Sequence, residues 1–193
     1  MMQRVCVFCG SARGTNPAYS AAARTLGQLL AERGLELVFG AGHIGLMGVL
    51  ADAVIAAGGQ TIGVIPRAMV DRELAHTGLA QLHVVDTMHE RKALMADLAD
   101  AFIALPGGFG TADELFEILT WAQLGIHQKP VGVINIAGFF DPLLAWLNRT
   151  VTDGFLRPQH RRLLIEAATV EELLERLCQF VPIETQGIEP GDR

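Results

Sequence analysis

A glycine-rich run near the middle of the chain combines residue types suited to holding a phosphate group. Pro106-Gly107-Gly108-Phe109-Gly110-Thr111 joins an apolar, strand-like run to a helical pattern. Glycines permit positive φ and leave backbone N–H groups accessible, and a helix start carries partial positive charge. The run therefore predicts a phosphate-binding loop, and it differs from a P-loop because no Gly-Lys-Ser/Thr follows. The alternative is a tight strand-to-helix turn that binds nothing.

Glu114, which follows this loop, allows two interpretations. In Thr111-Ala112-Asp113-Glu114 the spacing fits a capping box, with Thr111 as the N-cap and Glu114 reaching back to it. Alternatively, Glu114 presents a carboxylate beside the phosphate loop, on the helix flank that it shares with Ile118 and Trp121. The spacing leaves both interpretations open. We expect Asp113 and Glu117 to be solvated or to stabilise the helix.

Arg91 lies in a second segment that suits an anionic ligand, Met88-His89-Glu90-Arg91-Lys92, which opens another helical pattern. Arg91 shares a helix face with three apolar residues, namely Leu94, Met95 and Leu98. A guanidinium on a buried face, in the first turn where the helix dipole disfavours cations, requires an anion as partner. The partner is either a ligand phosphate or an internal carboxylate. Lys92 is expected to flank the same site.

The run Gly40-Ala41-Gly42-His43-Ile44-Gly45 matches the dinucleotide fingerprint G-x-G-x-x-G. That fingerprint needs an acidic residue at the end of the next strand, where this chain has Pro66-Arg67 instead. Arg67 would suit a 2′-phosphate, so an NADP-binding oxidoreductase remains an alternative. The position after the second strand favours a glycine-rich wall around a mononucleotide.

Apolar strand-like runs alternate with helical patterns along the whole chain. Continuous apolar runs predict buried parallel strands at Val5–Cys9, Leu35–Phe39, Thr61–Ile65, His83–Val85, Ala101–Leu105 and Val131–Ile136. Helical patterns lie near Pro17–Arg33, Leu46–Ala57, His89–Ala99, Ala112–Leu124, Pro142–Val151 and Val170–Phe180. This alternation predicts an α/β fold, a Rossmann-like doubly wound parallel sheet with helices on both faces. In such sheets ligands bind outside the carboxyl ends of the strands, where the segments above lie.

The composition narrows the protein class further. The 193 residues predict one nucleotide-binding domain over 1–182, followed by a loose tail over 183–193. A net charge of −6 argues against nucleic acid as a partner, and no apolar run is long enough to cross a membrane. The first residues lack a signal-peptide core. Three cysteines suggest reduced thiols and a cytoplasmic location.

Neither a metal nor a redox site is expected. Cys6 and Cys9 have C-x-x-C spacing, but residues three apart on a strand face opposite sides of a sheet. The six histidines have no ligand spacing. We therefore expect neither a metal nor another cofactor.

Taken together, these segments resemble the LONELY GUY proteins, which are cytokinin riboside 5′-monophosphate phosphoribohydrolases. Residues 106–114 match the family signature PGGxGTxxE, and three further segments agree in order: Cys9-Gly10-Ser11, Gly40 to Gly48, and Met88 to Lys92. The match extends over about residues 4–180. One departure is Ala41, where the family usually has glycine. Alanine there would matter if the position requires positive φ.

The resemblance implies a Rossmann-like homodimer that hydrolyses the N-glycosidic bond of AMP or N6-modified AMP to free base and ribose 5-phosphate. It implies Arg91 and Glu114 as the catalytic pair. Substrate contacts are then expected from residues of the matching segments, namely Ser11, Gly42, Gly45, Met88, Lys92, Gly107, Gly108, Gly110 and Thr111. The helix Leu115–Leu124, apolar on more than one face, favours a subunit interface; burial under the C-terminal segment is the alternative.

Two other functions are weighed against hydrolysis. Some LONELY GUY relatives are labelled lysine decarboxylase, which requires a Schiff-base lysine. This chain has only Lys92, inside the Arg-Lys motif, and Lys129, outside the candidate sites. A non-catalytic nucleotide or cofactor carrier would need the phosphate loop but not Glu114.

Overall fold

The computed structural model describes residues 2–70 and 75–183. Its parallel strands are β1 (Arg4–Phe8), β2 (Glu36–Phe39), β3 (Thr61–Pro66), β4 (Gln81–Val85), β5 (Ala101–Ala104), β6 (Val131–Ile134) and β7 (Leu164–Ala167). Its helices are α1 (Pro17–Glu32), α2 (Gly45–Ala56), α3 (Arg67–Val70), α4 (Met88–Leu98), α5 (Phe109–Gln123), α6 (Asp141–Thr152), α7 (Pro158–Arg161) and α8 (Val170–Cys178). A short 3₁₀ turn, Ile136–Gly138, precedes α6.

The strands form one parallel sheet in the order β4-β3-β2-β1-β5-β6-β7. The chain builds outward from β1 to β4, then crosses to the other side of β1 and builds outward again. The strand order therefore reverses between β1 and β5, which pair from Val5 opposite Ala101 to Phe8 opposite Ala104. The crevice outside the carboxyl ends at such a reversal is where doubly wound folds hold ligands.

Helices cover both faces of the sheet, as the sequence predicts. One apolar core joins the odd-numbered side of β1, including Val5 and Val7, to α1, α2 and α8. The other joins Cys6 and Phe8 to α4, α5 and α6. Because successive strand residues point to opposite faces, each strand contributes to both cores, and the strands are accordingly apolar throughout.

The structure adds two short helices, α3 and α7, and differs from the predicted elements in three further places. Strand β7 was not expected, because Leu164–Ala167 is short and contains Glu166. Helix α5 begins at Phe109 rather than at Ala112, so Gly110 and Thr111 lie inside its first turn. The final strand-like run ends at Ile134 and turns into the 3₁₀ segment. The predicted tail lies outside the described residues from position 184 onward.

No helix within residues 2–70 and 75–183 combines the length and the apolar character of a membrane span. In this same part of the chain, no three His, Cys, Asp or Glu side chains are arranged to hold a metal ion.

Candidate functional site

The loops that follow β1, β2 and β5 are tied together by backbone hydrogen bonds. The N–H of Gly10 donates to the carbonyl of Pro106 at 3.0 Å, and the N–H of Leu46 donates to the carbonyl of Gly10 at 3.0 Å. The three glycine-containing segments predicted from the sequence therefore meet at the reversal of strand order. Doubly wound folds bind their ligands at this position.

Close approach between these loops explains two of the glycines. Gly45 has φ +67°, and a Cβ there would lie 2.2 Å from the carbonyl carbon of Ser11. A Cβ on Gly107 would lie 2.9 Å from the backbone nitrogen of Gly10, and 2.0 Å from Oγ1 of Thr111 in its own segment. Any side chain at either position would push the loops apart. Ser11 itself is exposed, whereas Thr111 is buried.

The start of α5 has no side-chain cap. Its N-cap is Gly108, which offers no side-chain acceptor, and a Cβ placed on Gly108 or on Gly110 would meet nothing within 4 Å. No capping side chain therefore accepts from the first-turn N–H groups, and there is open space beside the Cα atoms of Gly108 and Gly110. Oriented N–H groups at the positive end of a helix are an anion-binding arrangement.

This geometry removes the capping interpretation of Glu114. Because Thr111 lies within α5 rather than at its N-cap, the predicted capping box does not form. The structure instead has a capping box at α4, where Thr87 accepts from the N–H of Glu90 at 3.1 Å and Glu90 accepts from the N–H of Thr87 at 3.3 Å. This capping box is not among the sequence predictions above, although Thr-x-x-Glu before an apolar run is its usual signal.

Glu114 instead pairs with Arg91 across the gap between α4 and α5. Oε1 of Glu114 lies 3.3 Å from Nη2 of Arg91, and the two side chains are 12% and 10% exposed. Burial raises the pKa of Glu114 to about 7, although the charge of Arg91 acts to lower it. The structure thus brings together the two residues that the sequence singled out for a charged ligand.

The Arg91 guanidinium is only partly satisfied by the protein. Its Nη1 lies 3.3 Å from Sδ of Met88, a weak acceptor, and its buried Nε has no hydrogen-bond partner among the described residues. A buried donor without a partner costs free energy, so it is a rare arrangement in folded proteins. Because Nε is also shielded from solvent, this unmet hydrogen bond lies inside the packed site rather than on its open side.

Gly40 makes room for this guanidinium, a role that the sequence analysis did not assign. A Cβ on Gly40 would lie 1.8 Å from Nη2 of Arg91. The first glycine of the G-x-G-x-x-G run therefore serves side-chain packing rather than a dinucleotide pyrophosphate. Arg67, which the NADP interpretation also requires, is exposed, and its Nε lies 3.9 Å from Oδ1 of Asp86.

The rest of this glycine run lies under the segment after residue 74. Gly42 forms an isolated bridge with Ala75, and the N–H of His76 donates to the carbonyl of Ala41 at 2.8 Å. Ala41 is fully buried with φ 59°. Position 41, where the family usually has glycine, thus requires positive φ. This conformation costs alanine about 1–2 kcal/mol.

Lys92 is held between two carboxylates of α5. Its Nζ lies 3.0 Å from Oδ2 of Asp113 and 3.0 Å from Oε1 of Glu117. Burial lowers the pKa of Lys92, but the hydrogen bonds and charges of Asp113 and Glu117 outweigh it and raise the pKa overall. Asp113 and Glu117, which the sequence analysis expected to be solvated or helix-stabilising, are the partners of this lysine.

A cavity of about 260 Å³ opens beside the loops. Its lining includes the segment from Gly10 to Gly14, Gly107 and Gly108, together with Tyr19 and Phe139. The rings of Tyr19 and Phe139 contact edge to face, with their centroids 5.6 Å apart. Arg91 and Glu114 are not part of this lining. Ser11, Gly107 and Gly108 are therefore the predicted contact residues that border the cavity.

Relatives of known name match nearly the whole chain. A family model described as "Possible lysine decarboxylase" matches residues 47–177. The cytokinin riboside 5′-monophosphate phosphoribohydrolase LOG of Oryza sativa subsp. japonica is 51% identical over 186 residues, which cover 96% of this chain and 77% of that protein. LOG7 of Arabidopsis thaliana, with the same enzyme name, is 47% identical over 180 residues, covering 93% of this chain and 83% of that protein.

Solved structures share the fold at lower sequence identity. The molybdenum cofactor binding protein of Rippkaea orientalis superposes with a TM-score of 0.69 at 22% identity, covering 93% of this chain and 97% of that one. The molybdenum cofactor carrier protein of Chlamydomonas reinhardtii gives 0.70 at 22%, with the same coverage. At this level of identity the likeness concerns the fold alone.

Proposed function

The chain belongs to the LOG family of cytokinin riboside 5′-monophosphate phosphoribohydrolases, and from this membership we propose that it cleaves the N-glycosidic bond of AMP or an N6-modified AMP. The products are the free base and ribose 5-phosphate. The observation that carries the proposal is the buried ion pair of Arg91 and Glu114 at the carboxyl edge of the sheet, near an uncapped helix start.

The description of the family model as a lysine decarboxylase does not fit this chain. A Schiff base forms on a neutral amine. Lys92 is held as an ammonium by Asp113 and Glu117, and Nζ of Lys129 donates to the carbonyl of Ala96 at 2.8 Å. The chain has no other lysine.

In the proposed mechanism the phosphate sits at the start of α5. The N–H groups of Gly108, Gly110 and Thr111 would hold it there, where the helix dipole and the open space favour an anion. Ser11, Gly42 and Gly45 belong to the loops that enclose the nucleotide. Met88 contributes by packing its thioether against the guanidinium of Arg91.

In the proposed mechanism the carboxylate of Glu114 lies beside the ribose. Cleavage of a glycosidic bond passes through a transition state that resembles an oxocarbenium ion, which an adjacent carboxylate stabilises. The ionised carboxylate also accepts hydrogen bonds from sugar hydroxyls and helps to activate water. An arginine side chain is a hydrogen-bond donor without an acceptor, so Arg91 has no role as a base; its guanidinium would donate to the phosphate or to the leaving base.

A direct assay tests the proposal. Purified protein is mixed with AMP or with N6-prenyl-AMP, and free base and ribose 5-phosphate are quantified. We expect both products in equal amounts. Tight binding of both nucleotides with no product from either would refute hydrolysis and favour the carrier alternative.

We expect the rate to fall on the acid side of neutrality. The pKa of Glu114 is raised to about 7, so the carboxylate is protonated progressively as the pH falls through that value. Because the mechanism uses the ionised form, kcat/KM should decline about tenfold per pH unit below about pH 7 and level off above it. A pH–rate profile with AMP measures this. A profile flat down to about pH 5, near the ordinary pKa of a glutamate, would contradict the ionised role.

The proposal includes a homodimer, supported by an apolar surface on α5 and α6. Phe116 contacts Trp146 edge to face with centroids 5.8 Å apart, beside a groove of about 500 Å³. Trp146 is 54% and Phe155 is 87% exposed in the single chain. Helix α8 packs on the opposite face of the sheet and cannot cover this surface. A second copy of the chain would remove it from water.

Replacing Phe155 with glutamate is expected to dissociate the dimer. The ring has few contacts within the chain, so a charge there acts mainly on the association. Light scattering coupled to gel filtration should give twice the mass of one chain for the wild type and the mass of one chain for Phe155→Glu. Val181→Glu, at another largely exposed apolar residue outside this surface, serves as the control and should stay dimeric. A dimeric Phe155→Glu would place the interface elsewhere.

A cytoplasmic location also belongs to the proposal. It is supported by three free cysteines: Cys6 and Cys9 are buried in opposite cores, and Cys178 is exposed. Thiols in this state are typical of a reducing compartment.

A further inference from the structure

Lys92 ties α4 to α5 directly beside the Arg91–Glu114 pair. Its ammonium bridges Asp113 and Glu117, with both distances at 3.0 Å, and its side chain is only 11% exposed. Lys92 follows Arg91 in α4, while Asp113 precedes Glu114 and Glu117 lies one turn after it in α5. Three adjacent ionic contacts therefore join the same pair of helices.

Resting on the proposed function, we propose that Lys92, Asp113 and Glu117 form a positioning cluster that fixes Glu114 against Arg91 and sets the charge around the Glu114 carboxylate. The cluster touches no reacting atom in this proposal. It acts through Glu114, by holding the two helices at a constant separation and by adding one net negative charge next to the site.

Lys92 is the shielded member of these ion pairs: its side chain is 11% exposed, against 24% for Glu117 and 61% for Asp113. A surface ion pair contributes little because water screens it, whereas a charge with little exposure needs its partners. With Lys92 removed, Asp113 and Glu117 would stand as two uncompensated carboxylates on the helix that carries Glu114. Loss of the Lys92 tether would loosen the contact between α4 and α5, and the two negative charges would disfavour ionisation of Glu114.

The direction of the effect follows from all the charged groups that face Glu114. From α4, Arg91 and Lys92 lower the pKa of Glu114; from α5, Asp113 and Glu117 raise it. From β1 and the residue after it, Cys6 and Cys9 contribute no charge, because burial raises the pKa of both thiols. Loss of Lys92 therefore raises the pKa of Glu114, and loss of Glu117 lowers it.

A direct contact between Lys92 and the substrate, the alternative that the sequence motif suggests, predicts a different outcome. Loss of such a contact would raise KM by a similar factor at every pH. It would leave in place the acid limb of the rate profile, which is the part where kcat/KM declines as the pH falls. The positioning cluster predicts that the limb moves. The pH profile thus separates the two roles of Lys92.

The experiment measures kcat/KM for AMP between about pH 5 and about pH 9 in the wild type and in three variants. In Lys92→Met the acid limb should move to higher pH by about half a unit to one unit, and the plateau rate should fall about five- to tenfold. In Lys92→Met/Glu117→Gln the cluster regains its original net charge, so the limb should return while the plateau stays low, because the helices remain untied.

Glu117→Gln alone keeps the Lys92–Asp113 pair and tests the cluster even if Lys92→Met does not fold. Its acid limb should move to lower pH by about half a unit. Limbs that stay at the wild-type position in Lys92→Met or in Glu117→Gln would overturn the cluster. A wild type that releases no base from AMP would instead refute the proposed function, so the two failures are distinct.

Discussion

Glu114→Gln is expected to lower kcat for AMP hydrolysis about 1,000-fold while leaving nucleotide affinity nearly unchanged. Glutamine has the size of glutamate, and its carbonyl oxygen can still accept from Nη2 of Arg91, so the contact between α4 and α5 persists. What is lost is the negative charge that stabilises the positive sugar in the transition state. An interaction that exists only in the transition state appears in kcat rather than in binding.

A matched exchange at an exposed glutamate controls for nonspecific effects. Glu175→Gln lies on α8, across the sheet from the site, and should retain full activity. Steady-state kinetics and calorimetric titration of AMP supply the two measurements. If Glu114→Gln kept the wild-type kcat, Glu114 would have no role in the chemical step. Loss of AMP affinity together with a lower melting temperature would make its role structural.

Gly40→Ala is expected to reduce kcat/KM about 100-fold without unfolding the protein. The added methyl would occupy the position of Nη2 of Arg91, which lies 1.8 Å from an ideal Cβ. Because the clash is with the end of a flexible side chain, the guanidinium moves and the backbone stays. Glu114 then loses the neighbouring cation that lowers its pKa, so the acid limb of the rate profile should also move to higher pH.

Gly78→Ala provides the comparison for this substitution. A Cβ there would meet its nearest atom, Cε1 of His76, at 3.3 Å, and the alanine N–H can still donate to Nδ1 of His76. It should show wild-type kinetics, and circular dichroism should report the same fold for both variants. Full activity in Gly40→Ala would mean that Arg91 can work from another position.

The architecture is predictable because it depends on local patterns. Strands such as Ala101–Ala104 are buried on both faces, and the resulting continuous apolar runs are visible in the sequence. The order of strands and helices then limits the topology, and the topology places the glycine loops at one edge. The brief strand Leu164–Ala167 lacked such a run and became recognisable only through its pairing with β6.

The site is predictable in part. The pattern around Arg91 required an anion, and Glu114 is that anion within the free protein. The start of α5 was placed three residues late because glycine is a poor helix former, which hides a helix turn made of Phe109, Gly110 and Thr111. The partners of Lys92 and the packing role of Gly40 depend on contacts between distant residues, which spacing along the chain does not encode.

The methyl of Ala41 restricts which residue position 63 can hold as the sequence changes over evolutionary time. A Cβ added to Gly63 would lie 2.7 Å from that methyl and 2.5 Å from Cδ1 of Leu79, so three residues share one small space. Glycine at position 41 would remove the methyl, but Leu79 would still have to move before position 63 could hold a side chain. Two neighbours therefore keep position 63 as glycine, and a substitution at only one of them does not release it.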